Sequence, residues 1–365
     1  MLRKLFGMPM IEEKIRKIAS LAELKYANVC HGDASTMYES EFTAPTDSAE
    51  PIRMSRRYLV ASITKPIVAM AALKLAAAGE FSLSDRIGRF LPTFVRAAYR
   101  RITVRHLLTH TSGFPDMLPE NTMLRAKNAS LNEFVEKASA VDLEFATATD
   151  CRYSSVGFLL LGAIIEKTTS VKLPQFLTTE FFQPLRMNET WLGLPDHEAD
   201  DLVPTVLPSL LPAWQPDADE WGWNSRYWRT LGAPWGGLIS TAADLGRYAT
   251  MMLTDGANEA GRQVLPAAVV RAAMSDQLYQ LAAESGFHGS QRSWGFGWRR
   301  QWAAHPASFG DFVSDETVGH WGATGTMMCI DPESRRFTVV LTTTPYEDSQ
   351  SAIQRVSNLV AAHES

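Results

Sequence analysis

The segment YLVASITKPIVAMAALKLAAAGEF, residues 58–81, decides how the chain is read. Its first residues suit a short extended entry, and the rest is a long, nearly uncharged helix that ends at Gly79. A helix apolar on most of its sides is a buried helix, so this segment is expected at the centre of the fold. Its start carries Ser62 and Lys65 in the only Ser-x-x-Lys of the chain. Three residues is nearly one helical turn, which puts hydroxyl and amine on the same face. A serine hydroxyl needs a base to become a nucleophile. For Lys65 to be that base near neutral pH it must lose about 3 pK units from its ordinary ~10.4, roughly 4 kcal/mol, which burial and a neighbouring positive charge can supply.

Around this centre the two chain ends read differently from the middle. Residues 9–24 have helical spacing, with Ile11, Ile15, Ile18 and Leu21 forming a stripe. Strand-like pieces follow near 25–31 and 35–42, then a polar loop at 43–53. From about 80 to 290 the pattern is mainly helical, most clearly at 103–109, 131–140, 155–168, 174–182, 242–253 and 266–274. The stretch 203–237 is rich in proline and tryptophan (Trp214, Trp221, Trp223, Trp228 and Trp235), so it is expected either to wall a pocket or to pack between helices. The C-terminal part changes period: SWGFGWRRQW, ETVGHWG, TGTMMCID and RRFTVVLTTT read as strands, and a last helix spans about 348–363. The expected architecture is α/β (α+β): one sheet domain made from both chain ends, residues 1–75 and 291–365, with a mainly helical region, 76–290, inserted between them.

Composition excludes several classes. With 365 residues, 45% hydrophobic and 21% charged, the chain has apolar material for roughly two domains, so neither a disordered nor a collagen-like protein fits. A net charge of −5 gives no electrostatic case for nucleic acid or anionic membrane. Cys30, Cys151 and Cys329 are far apart and imply neither a disulfide framework nor a zinc knuckle. The basic start MLRKLFGMPM runs at once into IEEKIRK without an apolar signal core, and the apolar run at 156–165 is far short of the ~20 residues of a membrane span. The expectation is a soluble, cytoplasmic protein acting on a small molecule. His106 and His110 lie four apart but lack the Glu of a His-Glu-x-x-His site, so no metal is expected, and with no Gly-rich phosphate loop, no cofactor. The absence of Gly-x-Ser-x-Gly excludes an α/β-hydrolase elbow.

LVASITKPIVAMAALKLAAAGEFSLSDRIGRFLP (59–92) and ITVRHLLTHTSGFPD (102–116) together resemble the serine β-lactamase-like hydrolases, in the branch of class C β-lactamases, D-Ala-D-Ala carboxypeptidases and related esterases. The resemblance continues in family order through FATATDCRYSSVGFLLLGAIIEKTT, FFQPLRMNETW, GGLISTAADLGRY, WGFGW and GHWGATGTMMCIDPESRRFTVVLTTT, and covers most of the chain from about 55 to 343.

The resemblance implies a β-lactamase/transpeptidase-like fold, its antiparallel sheet flanked by helices and its active site at the junction of the two domains, and a Ser62 acyl-enzyme, with Lys65 and Tyr153 sharing the proton traffic. Either could hold the proton at rest. Where the family carries Tyr-x-Asn this chain has Tyr153-Ser154-Ser155, and the literal Tyr26-Ala27-Asn28 lacks the apolar helix that should follow. An Asn both donates to a substrate carbonyl and accepts from the lysine, whereas Ser155 is shorter and makes fewer bonds. Where β-lactamases carry Lys-Thr-Gly, the chain has His320-Trp321-Gly322, and a mostly neutral His320 binds a carboxylate less strongly. Gly322 would let the strand approach the substrate, and the backbone N–H groups of Ser62 and Ala323 would form the oxyanion hole. The family uses the His106–His110 segment to shape a loop, and Cys151 reads as packing. A carboxylic ester is therefore expected first as substrate, then a β-lactam or D-amino-acid peptide. A weakly catalytic binding module of the same fold is a further possibility.

Overall fold

The helix Thr64–Ala77 forms where the uncharged run predicts it, and every residue from Thr64 to Leu73 is buried. Its end at Ala77 leaves Gly79 in the left-handed region (φ 83°). In this computed structural model residues 2–44, 57–195, 206–212, 221–279, 281, 287, 294–302 and 308–363 are described.

The main sheet joins both ends of the chain. β1 (Tyr26–Asp33) and β2 (Met37–Thr43) come from the N-terminal part. The C-terminal part supplies β6 (Arg299–Arg300), β7 (Val318–Gly322), β8 (Thr326–Asp331) and β9 (Arg336–Thr342). Their order is β2-β1-β9-β8-β7-β6, antiparallel throughout, with Val29 opposite Val340 and His320 opposite Met328. Alternation splits the strand residues between two apolar layers. Ala27, Val29, Met327 and Val340 pack with the helices Leu2–Leu21 and Tyr346–Ala361, while Cys30, Met328 and Val339 join the large core that contains the Thr64–Ala77 helix.

A second, short sheet positions the segment that carries Ser62. β3 (Tyr58–Leu59) pairs with β5 (Leu238–Ser240), which also pairs with β4 (Trp191–Leu192). The chain entering Ser62 is thus fixed to the chain leaving Trp235.

Two local readings are corrected. Leu21 is 63% exposed, because the first helix ends there and Leu24 turns into the core instead. SWGFGWRRQW is not a continuous strand. Gly295 N–H donates to the Trp298 carbonyl (2.8 Å), and Gly297, at φ 74°, brings this turn so close to the Thr64–Ala77 helix that a Cβ would lie 2.4 Å from that of Ala69. Only Arg299–Arg300 joins the sheet.

Candidate active site

Ser62 sits in a single 3₁₀ turn, Ala61–Ile63, reached through Ala61 in the left-handed conformation (φ 47°). Thr64 fastens this turn: its Oγ1 donates to the Ala61 carbonyl (2.6 Å) and accepts from the Leu238 N–H (3.0 Å). One turn on, the fully buried Lys65 donates from Nζ to Ser62 Oγ (3.2 Å) and to the Trp235 carbonyl (2.7 Å). Burial pushes the Lys65 ammonium down to about 7; the Asp116 carboxylate opposes this and the Arg299 charge adds to it.

Tyr153 precedes the helix Ser155–Thr169, whose cap Ser154 accepts from Gly157 N–H (3.0 Å) and donates to the Pro115 carbonyl (2.9 Å). The Tyr153 ring lies under Lys65, with Nζ 4.6 Å from its centroid, and stacks on Trp294. Its buried hydroxyl makes no full hydrogen bond to the described residues. Burial, helped by Asp116, pushes its pKa well above the ordinary tyrosine value, outweighing Arg299 and Ser62, which act the other way. The resting phenol therefore keeps its proton.

The opposite wall is β7. At Gly322 a Cβ would stand 2.3 Å from the Val60 carbonyl oxygen, so only glycine lets the strand lie against the nucleophile segment. Thr324 Oγ1 donates to the Leu59 carbonyl (2.6 Å) and Thr326 Oγ1 to that of Val60 (3.0 Å). These contacts set Ala323 beside Ser62. His320 Nδ1 lies 2.6 Å from the Trp321 carbonyl, which can only accept, so Nδ1 carries the hydrogen and Nε2 is left as an acceptor. Burial first, then Arg299 and Lys65, hold its pKa well below 6.5. His320 is neutral.

Ser62, Tyr153, Trp223, Arg299, His320 and Ala323 are among the residues lining a cleft of ≈ 290 Å³. Lys65 lies beneath it, and Gly322 shapes its wall. Ser155 is not brought into it. Its N–H and Oγ both donate to Asp116 Oδ1 (3.0 and 2.7 Å), and it lines a neighbouring slot with Asp116 and Trp235.

Two residues that sequence reasoning missed stand here. Arg299 holds its guanidinium against Tyr153, Trp294 and Trp321, with Cζ 4.9, 4.6 and 4.2 Å from the ring centroids. Its Nε is buried without a hydrogen-bond partner among the described residues. The cleft therefore has a cation although β7 carries no lysine. The other is Asp116. Each lies in a segment already quoted, Arg299 in SWGFGWRRQW and Asp116 at the end of ITVRHLLTHTSGFPD, but its part depends on contacts across the fold.

The remaining expectations can be placed. His110 Nδ1 accepts from Ser154 N–H (3.0 Å) and His106 Nδ1 from Thr103 N–H (3.1 Å), so both rings serve backbone amides. Cys151 is buried against Leu278 and Trp294, and burial pushes its thiol up. Trp223 lines the cleft, whereas Trp228 and Trp235 pack in the core; Trp214 lies outside the described residues. Tyr26 and Asn28 belong to β1. Among the described residues no group of three His, Cys, Asp or Glu side chains could hold a metal, and no helix is long and apolar enough to cross a membrane.

The chain is 27% identical over 332 residues to the esterase EstB of Burkholderia gladioli, covering 83% of this chain and 81% of that one. It is 28% identical over 179 residues to the protein flp of Staphylococcus aureus (strain MW2), 48% of this chain but 36% of flp, so the match spans about a third of that relative. Among solved structures, EstCE1, a hydrolase with promiscuous acyltransferase activity, has the same fold at a TM-score of 0.75 and 19% identity, over 97% of this chain and 98% of that one. The Beta-lactamase family model matches residues 26–362, and the chain belongs to the Beta-lactamase family.

Proposed function

We propose that the protein cleaves small carboxylic esters through a Ser62 acyl-enzyme. The observation that carries this is the buried Lys65 amine, 3.2 Å from Ser62 Oγ with its pKa brought to about 7. Neutral Lys65 takes the Ser62 proton as Oγ attacks the ester carbonyl carbon. The oxyanion of the tetrahedral intermediate is held by the N–H groups of Ser62 and Ala323. Tyr153, protonated at rest, gives its proton to the departing alkoxide and regains one from the Lys65 ammonium. A water then attacks the acyl-enzyme along the same proton route, releasing the acid and restoring Ser62.

The cleft, ≈ 290 Å³ and walled by Trp223 and Trp321, suits a small acyl ester. Neutral His320 offers no charge to a carboxylate, and the esterase among the relatives points the same way. Arg299 supports a second reading, a β-lactam or D-amino-acid peptide whose carboxylate meets the guanidinium. The test is a series of p-nitrophenyl esters of increasing acyl length beside nitrocefin, on wild type and Ser62→Ala. Equal, near-background rates for both proteins would leave only a binding module. A nitrocefin preference of ~100 in kcat/KM, about 2.7 kcal/mol in barrier, would reverse the ranking.

A further inference from the structure

The exchange of the family asparagine for Ser155 changes the sign of the hydrogen-bonding surface next to the nucleophile. An asparagine offers a donor to the substrate. Ser155 offers none, since its hydroxyl hydrogen goes to Asp116 Oδ1 at 2.7 Å. What is presented instead is the carboxylate of Asp116, and a carboxylate only accepts.

That carboxylate is a built feature. Its Oδ1 takes two bonds from Ser155, N–H at 3.0 Å and Oγ at 2.7 Å. The Asp116 main-chain carbonyl accepts from the N–H groups of Ser155 (3.0 Å) and Val156 (3.2 Å). The residue is thus pinned at backbone and side chain by the first turn of the Ser155–Thr169 helix, whose N-terminal amides favour a negative group. Oδ2 has no partner among the described residues, and the side chain is exposed. The carboxylate is close enough to the reacting groups for its charge to act on Lys65, Tyr153 and Arg299.

Behind it runs a narrow slot whose walls include Met117, Phe134, Leu159 and Trp235. Trp235 is also the residue whose carbonyl holds Lys65, so the slot adjoins the catalytic amine. Arg299 stands elsewhere, against Tyr153 and Trp321 in the main cleft. The main cleft thus carries a cation, Arg299, and an exposed anion, Glu347, while Asp116 supplies the anion of the slot beside Ser155.

We propose that Asp116 and this slot form a subsite for a protonated amine on the acyl group, so that esters of amino acids are favoured over neutral or N-acylated ones. The proposal rests on the ester-hydrolase reading above. An ammonium places its N–H groups on the free carboxylate oxygen in a charge-assisted bond. An N-acyl group removes the positive charge and all but one N–H, so only a weaker, uncharged bond to the same oxygen remains, and its carbonyl finds no donor there.

The test uses p-nitrophenyl 3-aminopropanoate and p-nitrophenyl butanoate, equal in size and differing in NH₃⁺ against CH₃, with N-acetyl-3-aminopropanoate as third ester and Ser62→Ala as background. The expected kcat/KM ratio of amine to butanoate ester is about 10 or more in wild type, the size of effect a charge-assisted hydrogen bond gives. It should fall to about 2 or less in Asp116→Asn, and the N-acetyl ester should be the slowest of the three. If that variant does not fold, Asp116→Ser takes its place; in wild type and in Glu347→Gln alike, raising ionic strength from about 0.01 to 1 M should collapse the ratio by screening an exposed pair. A wild-type ratio near 1, a ratio unchanged in Asp116→Asn, or one indifferent to salt overturns the proposal. Butanoate cleavage that needs Ser62 but shows no amine preference removes only this subsite. Wild-type rates equal to Ser62→Ala on all three esters remove the hydrolase reading and the subsite with it.

Discussion

Lys65 Nζ donates to the main-chain carbonyl of Trp235 at 2.7 Å, a bond between residues 170 apart in the chain. A carbonyl only accepts, so one N–H of the amine must always point at Trp235. When Lys65 is neutral, this leaves its lone pair free to face the Ser62 hydroxyl at 3.2 Å. The contact does more than hold the side chain: it orients the amine towards Ser62. Nothing of opposite charge bonds to Nζ among the described residues, which is why burial brings its pKa to about 7.

The first consequence is a pH profile. With Lys65 as base, ester kcat/KM should rise with pH and reach half its plateau near pH 7, as the ammonium loses its proton. Lys65→Arg, charged at every accessible pH, should lose roughly 10²–10⁴-fold. Rates measured from pH 5.5 to 9 on an activated ester check this. A flat profile would remove Lys65 from the role of base.

Arg299→Gln should have two separable effects. The Arg299 charge lowers the Lys65 pKa, so its removal should shift the acid limb of the profile upward, above pH 7. It should also reduce nitrocefin turnover relative to a neutral ester by roughly 10-fold, the scale of one hydrogen bond to a charged group. An unmoved limb would mean that the guanidinium does not act on Lys65. An unchanged ratio would mean that it does not meet the substrate carboxylate.

The parts of this site that could be read in the sequence are those written in local pattern. The nearly uncharged run after Ser62 reads as a buried helix, and the four C-terminal segments change period towards strands, three of them forming β7, β8 and β9. Asp116 and Arg299 are different. The loss of asparagine at Ser155 is visible in the sequence, but its partner lies 39 residues earlier on a loop with no period of its own. Arg299 follows a turn in which Gly297 presses on Ala69, and only the fold sets its guanidinium beside Tyr153 and Trp321. Leu21 shows the converse: the stripe is real, but a helix end cuts it short.

Gly322→Ala tests the approach of β7 to the nucleophile. The added methyl would meet the Val60 carbonyl oxygen at 2.3 Å, and main chain on both sides cannot step aside. The strand must shift, carrying Ala323 N–H out of line with the developing oxyanion. kcat should fall about 10²–10³-fold, the usual cost of an oxyanion donor, with a smaller change in KM. Circular dichroism and the melting temperature would separate this from unfolding. A folded variant with wild-type kcat would exclude Ala323 from the oxyanion hole.

The depressed Lys65 pKa also has a cost in stability, and its sign can be worked out. The folded value is about 7 and the ordinary one 10.5, so between these limits the unfolded chain binds more protons than the folded one. Stability should therefore rise with pH across the window from about 7 to 10.5. Below pH 7 both states carry the charge, and the fold bears the whole penalty, on the order of 5 kcal/mol at about 1.4 kcal/mol per unit. Lys65→Met fills the same space without charge, but leaves the Trp235 carbonyl without its donor, a loss of about 1–3 kcal/mol. The variant should thus be inactive yet more stable than wild type at pH 7, by a margin on the order of 2 kcal/mol. At pH 10 the margin should vanish or reverse, since wild-type Lys65 no longer bears the charge. Thermal melts of both proteins at the two pH values measure this difference. If Lys65→Met is the less stable at pH 7, the amine is charged and adequately solvated in the folded protein, and the base must be sought elsewhere.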